Sequence, residues 1–279
     1  MSVIIGIDVG GSTTKIVGFR LENGERRLVE PQFVRANDPI TATYGAFGKF
    51  TDENGISIKE IDKIMMTGVG SSFVKRDLYG LNCERVPEFN AIGRGGLYIS
   101  GLDNALVVSM GTGTAIVHAT SDDMRYLGGT GVGGGTLMGL SKLLVSAETI
   151  GHIEEFAEAG DLANIDLRIK DITSDSRAGV LSADLTASNF GNVSDLATKE
   201  DMALGIMNMV YETIGMMSIF AARSVGVNNI VVTGNLTRLD FCKEKFDFFN
   251  SMHSLYGMNF LMPKCSEFAT VIGTALLGF

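Results

Sequence analysis

The sequence predicts an α/β protein built from two ribonuclease-H-like lobes with a nucleotide cleft between them. Residues 4–19 and 104–118 each consist of an apolar strand, a tight glycine turn and a second apolar strand. After the first of these segments, the predicted elements complete the order strand, strand, strand, helix, strand, helix, which a ribonuclease-H-like half would give. Because the second segment repeats the first, we expect a duplicated fold whose two glycine turns face each other and clamp a triphosphate.

Length and composition limit the classes of function. The chain has 279 residues, of which 45% are apolar and 20% charged, so it can bury a large core. Its net charge of −9 argues against nucleic acid or an anionic membrane as a partner, since both need a basic surface. Its three cysteines show no metal-ligand spacing, and neither a signal-peptide pattern nor a long apolar run is present. We expect a soluble protein of the cytoplasm.

The opening hairpin predicts a phosphate site. Residues 4–9 are a β-branched apolar run typical of a buried strand, and residues 15–19 are its partner. The turn between them offers glycine N–H groups, hydroxyls and a lysine, which are groups that bind phosphate. Asp8 ends the first strand, where a carboxylate can hold a hydrated Mg²⁺ ion. The alternative is an ordinary hairpin with an aspartate facing its turn.

The rest of the first half predicts three more strands and two helices. Residues 26–34 resemble a third strand, and residues 39–54 a helix with aromatic residues at helical spacing. Residues 63–70 are a strand that runs into glycines. Residues 82–96 combine a short strand with a helix that begins near Glu88. By itself, an acid there is most simply a helix N-terminal residue favoured by the helix dipole.

The second half repeats the strand–turn–strand unit and adds a glycine loop. The turn at residues 111–113 follows its strand as the first turn does, and the glycine-rich residues 128–136 lead into a helix over residues 137–145. A helix N-terminus with free N–H groups favours an anion. The loop matches neither a Walker A loop nor a Rossmann fingerprint. Its alternative role is to pack backbone against backbone.

The remaining elements predict the rest of the second lobe. Residues 153–173 are predicted to be helical around a break at residue 160, and residues 184–191 to be a polar loop. Residues 199–225 form a long amphipathic helix whose methionines fill a core or a subunit interface. Residues 229–235 are a strand ending in a glycine turn, of the kind that lines nucleotide clefts. Residues 269–277 are a final helix.

With these motifs in view, the chain resembles the type II pantothenate kinases, two-lobed ATPases of the actin and sugar-kinase superfamily. The matching stretches span nearly the whole chain in the family's order; they are residues 6–12 with Lys15, 67–70, 87–91, 111–113, 128–136, 185–191 and 231–235. The resemblance implies one lobe over residues 1–100 and a second over residues 101–279. It also implies a homodimer that transfers phosphate from ATP to pantothenate, the first step of coenzyme A synthesis.

The resemblance also implies a role for individual residues. Glu88 matches the family's catalytic glutamate, and a carboxylate suits an alcohol nucleophile because it can accept the hydroxyl proton. Arg125, beside Tyr126, is the basic residue that precedes the second glycine loop, and it would bind the carboxylate of pantothenate. Neighbouring residues of a strand face opposite sides, so this assignment depends on the register. Asp8 would hold Mg²⁺ through water. The implied ATP-binding residues are Asp8, Gly10, Gly11, Ser12, Thr13, Lys15, Gly111, Thr112, Gly113, Gly133, Gly134, Gly135, Thr136, Leu137, Gly234 and Asn235.

Two other activities fit parts of the sequence. Sugar and amino-sugar kinases of the same superfamily usually use an aspartate base and often carry a Cys/His zinc motif, which this sequence lacks. An ATP-driven activator of a dehydratase needs cysteines for an iron–sulfur cluster at a dimer interface. Cys83, Cys242 and Cys265 do not follow matching glycine turns. A catalytically inactive ATP-binding protein would leave Glu88 unexplained.

Overall fold

The structure is a computed structural model that describes residues 2–11, 13–35, 38–173 and 182–279. Its strands are β1 (Ser2–Val9), β2 (Thr14–Glu22), β3 (Glu25–Val34), β4 (Ile61–Thr67), β5 (Cys83–Arg85), β6 (Asn104–Met110), β7 (Thr114–Thr120), β8 (Met124–Thr130), β9 (Leu167–Arg168), β10 (Thr186–Ser188), β11 (Asn229–Thr233) and β12 (Asn259–Leu261). Its helices are α1 (Pro39–Glu53), α2 (Glu88–Ser100), α3 (Gly134–Val145), α4 (Ile150–Glu158), α5 (Ile169–Ile172), α6 (Lys199–Val225), α7 (Asp240–Ser251), α8 (His253–Tyr256) and α9 (Ala269–Leu276).

The two main sheets have the same topology. Their strand orders are β3-β2-β1-β4-β5 and β8-β7-β6-β11-β12. In each sheet the first three strands in chain order pair antiparallel. The fourth strand then pairs parallel with the first, and the fifth pairs parallel with the fourth. This repeated arrangement confirms the predicted α/β fold of two ribonuclease-H-like units.

The first sheet is covered by helices on both faces. On one face, Ile5 and Ile7 of β1 pack against Phe47 and Phe50 of α1. Helix α1 begins where the Asp38 carboxylate accepts the Thr41 N–H, a side-chain N-cap. On the other face, β2 packs against α9, the last helix of the chain. A sheet buried on both sides explains why its central strands are continuous apolar runs.

The second sheet packs against the long helix α6. Thr198 and Asp201 form a capping box at its start, and Gly226 closes it in a left-handed conformation. Among the described residues, α6 is the only helix long and apolar enough to cross a membrane by length and composition. Most of that stretch is buried within the protein. The opposite face of the second sheet packs against α2.

Helices α2 and α9 cross at backbone contact. A Cβ atom on Gly95 would lie 1.8 Å from the carbonyl oxygen of Ala269, and one on Gly273 would lie 1.9 Å from that of Ala91. These two positions therefore require glycine. Because α9 returns to the first sheet, the end of the chain packs beside its beginning. The division at residue 100 stays a prediction.

The structure corrects the predictions for residues 153–173 and 184–191. Helix α4 ends at Glu158, and the chain then forms strand β9, which pairs with β10 inside the predicted polar loop. Strands β9 and β10 form a two-stranded sheet because polar side chains hold it against α6. The Glu212 carboxylate, with one oxygen 3.0 Å from Lys245 Nζ, accepts hydrogen bonds from Thr186 and Asn189. Such pairing between distant segments leaves no local pattern in the sequence.

Candidate active site

The two glycine turns face each other across a cleft between the sheets. The turn between β1 and β2 closes with a bond from Gly10 N–H to Thr13 C=O, and the turn between β6 and β7 with one from Gly111 N–H to Gly113 C=O. A Cβ atom on Gly11 would lie 3.8 Å from the Thr112 hydroxyl oxygen. The structure thus brings the two predicted phosphate turns together. Predicted site residue Ser12 lies outside the described residues.

Two adjoining cavities occupy this cleft. The first, of about 610 Å³, contains Glu88 in its wall and is called the Glu88 cavity below. The second, of about 580 Å³, contains Arg238 and is called the Arg238 cavity. They share the lining residues Thr13, Lys15, Gly111, Thr112 and Asn235. The wall of the Glu88 cavity also includes predicted residues Asp8, Gly10, Gly11, Gly113 and Gly234.

Asp8 and Lys15 both line the cleft, Lys15 buried and Asp8 half-buried. They lie opposite each other in the β1–β2 register. Burial raises the pKa of Asp8 against the opposing effect of Lys15, and burial lowers the pKa of Lys15 against that of Asp8. The Lys15 ammonium donates to the backbone carbonyl of Glu267 at 2.5 Å. Gly68 crosses above Asp8 with a φ of +85°, and a Cβ there would lie 2.5 Å from the carboxylate.

Glu88 is the first residue of α2, directly after Pro87. Its side chain lines the same cavity as Asp8. Burial is the main cause that raises the pKa of Glu88, and the nearby charge of Asp8 raises it further. A carboxylate whose pKa is raised is a stronger base, so at the wall of a cleft it is suited to accept the proton of a bound alcohol.

The glycine loop before α3 supports the glycine turn between β6 and β7. The N–H groups of Gly134 and Gly135 donate to the carbonyl oxygens of Gly111 and Thr112 at 2.9 and 2.8 Å. These donors are therefore not free for an anion, and the expectation of outward-pointing N–H groups is wrong for them. At these two residues the loop packs backbone against backbone, which is the alternative role given in the sequence analysis.

The predicted residues of this loop reach the cleft unequally. Gly134 and Gly135 line the Arg238 cavity. Gly133, Thr136 and Leu137 are not among the described lining residues of either cavity. Leu137 is buried in the core, and the Thr136 hydroxyl donates to the carbonyl of Gly131.

Asn235 joins the two sides of the cleft. Its side-chain Nδ2 donates to the Thr13 hydroxyl at 3.4 Å. The N–H of the preceding Gly234 donates to the carbonyl of Ser266, which fixes the turn after β11. Both predicted residues lie in the cleft wall.

The structure does not bring Arg125 to either cavity. Arg125 is exposed on β8, opposite His118 of β7. The next residue, Tyr126, lines the Glu88 cavity, and its ring stacks on Phe89 with centroids 3.8 Å apart. Neighbouring residues of a strand point to opposite faces, so a cavity lined by Tyr126 excludes Arg125.

Sequence reasoning missed most of the Arg238 cavity. Arg238 lies with its guanidinium 4.8 Å from the Phe33 ring centroid, which links the turn after β11 to β3. Other lining residues come from several separate segments; they include Arg35, Glu148, Ile150 and Glu154. The one signal in the sequence that could have pointed to Arg238 is its position three residues after Asn235. The other lining residues of this cavity share no sequence motif.

Two comparisons with known proteins decide the family. A model of the Fumble family matches residues 50–274. A type II pantothenate kinase of Staphylococcus saprophyticus is 31% identical over 245 residues, which cover 83% of this chain and 84% of that protein. The chain belongs to the Fumble family of type II pantothenate kinases. This confirms the resemblance found in the motifs.

Other relatives agree with membership in the Fumble family. Type II pantothenate kinases of Oceanobacillus iheyensis and Staphylococcus aureus are 31% and 27% identical, each covering more than 80% of both chains. Among solved structures, an activator of 2-hydroxyisocaproyl-CoA dehydratase from Clostridium difficile with bound ADPNP has a TM-score of 0.67 at 17% identity, covering 99% of this chain and 93% of that one. A ROK family glucokinase from Streptomyces griseus, in complex with glucose and AMPPNP, has a TM-score of 0.57 at 12% identity and covers 99% of each chain. At these identities, the two structures show the fold alone.

Proposed function

We propose that this chain transfers the γ-phosphate of ATP to the primary hydroxyl of pantothenate, giving 4′-phosphopantothenate, the first step of coenzyme A synthesis. The supporting observation is that Glu88 and Asp8 face one cavity beside two opposed glycine turns, in a chain of the Fumble family. Phosphoryl transfer needs mainly positioning and charge neutralisation, and the cleft offers both. The sugar-kinase and dehydratase-activator alternatives share only the fold with this chain.

In the proposed reaction, Glu88 accepts the proton of the pantothenate hydroxyl as that oxygen attacks the γ-phosphorus. Lys15 and the N–H groups of the two glycine turns other than those of Gly10 and Gly111, which close the turns, hold the phosphates and stabilise the charge of the transferring group. The nucleoside occupies the Arg238 cavity. We assign Glu88 the catalytic role and Asn235 a part in binding ATP.

A hydrated Mg²⁺ ion fits the residues of the cleft. Burial disfavours the charged form of Asp8, and a dication beside it would offset that cost. Among the described residues, no three His, Cys, Asp or Glu side chains gather into a ligand cage. One carboxylate with waters and phosphate oxygens is the usual set for Mg²⁺ in a kinase. Bound there, Mg²⁺ would neutralise phosphate charge.

We further propose that the protein is a cytoplasmic homodimer with lobes at residues 1–100 and 101–279. All three cysteines are free thiols, which suits a reducing compartment. Leu143 of α3 is 81% exposed and Phe220 of α6 is 59% exposed, and we propose that the partner subunit covers these two apolar side chains. Sedimentation velocity is expected to give twice the chain mass of 29.8 kDa, and a monomer would contradict the dimer.

A coupled assay of ADP release tests the activity. The assay compares pantothenate, N-acetylglucosamine and no acceptor at equal ATP. Turnover that depends on pantothenate is expected. Turnover only with the sugar would favour a sugar kinase, and turnover without any acceptor would favour an ATPase activator.

A further inference from the structure

The Glu88 cavity offers little positive charge to an anionic acceptor. Among the described residues of its wall, Asp8 and Glu88 are acidic and Lys15 alone is basic. Lys15 is already engaged, since it lies opposite Asp8 and its ammonium donates to the carbonyl of Glu267. In the proposed reaction, Lys15 also binds the phosphates of ATP. A carboxylate entering this cavity would meet no free cation among the described residues of the wall and would lie near the acidic side chains of Asp8 and Glu88, which is unfavourable.

An aromatic pair stands where the resemblance led us to expect a cation. Tyr126 lines the cavity, and its ring is nearly parallel to that of Phe89, with an angle of 11° between their planes. Phe89 directly follows Glu88, so the pair lies beside the proposed base. The Tyr126 hydroxyl lies over Gly129, another lining residue, where a Cβ would be 3.1 Å away. This part of the wall suits an uncharged, partly apolar group.

The nearest basic residue along the strand does not replace the missing charge. Arg125 faces away from the cavity and lies exposed on β8. The remaining basic side chains of the cleft, Arg35 and Arg238, line the other cavity, where the nucleoside is proposed to bind.

We propose that the Glu88 cavity selects acceptors with an uncharged tail, so that neutral amides of pantothenic acid are phosphorylated in preference to pantothenate. The inference rests on the proposed kinase function and narrows its acceptor class. Such an amide keeps the primary hydroxyl that Glu88 would activate. Its tail can pack on the Phe89–Tyr126 pair and still form neutral hydrogen bonds. Tyr126 is the residue that sets this preference.

The first test compares two acceptors that differ in one group. Pantothenate and its N-propyl amide are assayed with wild-type protein and saturating ATP. We expect kcat/KM to be roughly tenfold or more higher for the amide, the usual size of an unmet charge interaction. An equal or lower value for the amide would overturn the inference. If neither compound accepts phosphate, the proposed function itself fails.

The second test places a cation at the expected position. In Tyr126→Arg, kcat/KM for pantothenate should rise about tenfold relative to that for the amide, because the guanidinium can pair with the carboxylate. Tyr98→Arg is the matched control, since Tyr98 is exposed on α2 outside both cavities and the same charge is added. A relative rise only in Tyr126→Arg supports the inference. An unchanged ratio in Tyr126→Arg, or an equal change in both variants, would contradict the role of Tyr126.

Discussion

Asn235 donates a hydrogen bond from its side chain to the hydroxyl of Thr13, 3.4 Å away on the opposite side of the cleft. This bond joins the turn after β11 to the glycine turn between β1 and β2, where both cavities meet. Asn235→Ala should therefore weaken the binding of an ATP analogue by about fivefold, the usual effect of one neutral hydrogen bond. Calorimetry measures the affinity. Asn259→Ala removes an exposed asparagine that bonds Asn229, and equal losses in the two variants would contradict this prediction.

The crossing of α2 and α9 predicts a large loss of stability for one added methyl group. Gly273→Ala would place its Cβ 1.9 Å from the carbonyl oxygen of Ala91, so the helices must move apart. We expect the free energy of unfolding in urea to fall by about 3 kcal/mol. Gly45→Ala is the control, because Gly45 lies in α1 with open space around it. That change should raise stability by about 0.5–1 kcal/mol, and similar effects at both sites would refute the packing argument.

The ion pair between Lys245 and Glu212 is buried, with 3.0 Å between nitrogen and oxygen. Lys245→Met would leave the Glu212 carboxylate without its cation, which should cost about 3–5 kcal/mol of unfolding free energy. Lys49→Met breaks an exposed pair with Glu53 and should cost under about 1 kcal/mol. Denaturation midpoints that shift equally in the two variants would show that burial does not govern the effect.

The two acidic side chains of the Glu88 cavity are electrostatically coupled. The charge of Asp8 contributes to the raised pKa of Glu88, although burial contributes more. Asp8→Asn should therefore lower the pKa of Glu88 while leaving it above the ordinary value, as carboxyl carbon NMR of metal-free protein can measure. Asp62→Asn, an exposed acid on β4, should leave that pKa unchanged. An unaltered pKa in Asp8→Asn would contradict the coupling.

The same raised pKa predicts how activity depends on pH. Glu88 can act as a base only when it is deprotonated. As pH falls through its raised pKa, kcat/KM should decline, starting at a higher pH than an exposed glutamate would cause. The decline should be absent from the residual activity of Glu88→Gln.

Local sequence patterns predicted the parts of the fold that depend on local rules. The two hairpins, the helix at Lys199–Val225 and the position of Glu88 at the start of α2 all follow from apolar periodicity and turn residues. Pairings between distant segments could not be predicted in this way. Phe33 and Arg238 lie far apart in the chain and meet only through the tertiary fold, and strand β9 pairs with β10 because of polar contacts to α6.

The predicted residues that do line the Glu88 cavity include turn glycines, Asp8 near the end of β1 and Glu88 at the start of α2, and their roles in binding and catalysis stay predictions. The sequence did not predict which of the neighbouring residues Arg125 and Tyr126 lines the cavity, because that depends on the orientation of strand β8. The N–H groups of Gly134 and Gly135 were taken as free because their partners, Gly111 and Thr112, belong to another element.

The central claim is that Glu88 removes the proton of an alcohol held beside the γ-phosphate of ATP. The most direct measurement compares kcat and ATP affinity in Glu88→Gln and in Glu84→Gln, an exposed glutamate on β5. We predict that Glu88→Gln lowers kcat by roughly 10²-fold or more with ATP affinity unchanged, while Glu84→Gln keeps wild-type turnover. Near-wild-type turnover in Glu88→Gln would contradict the account.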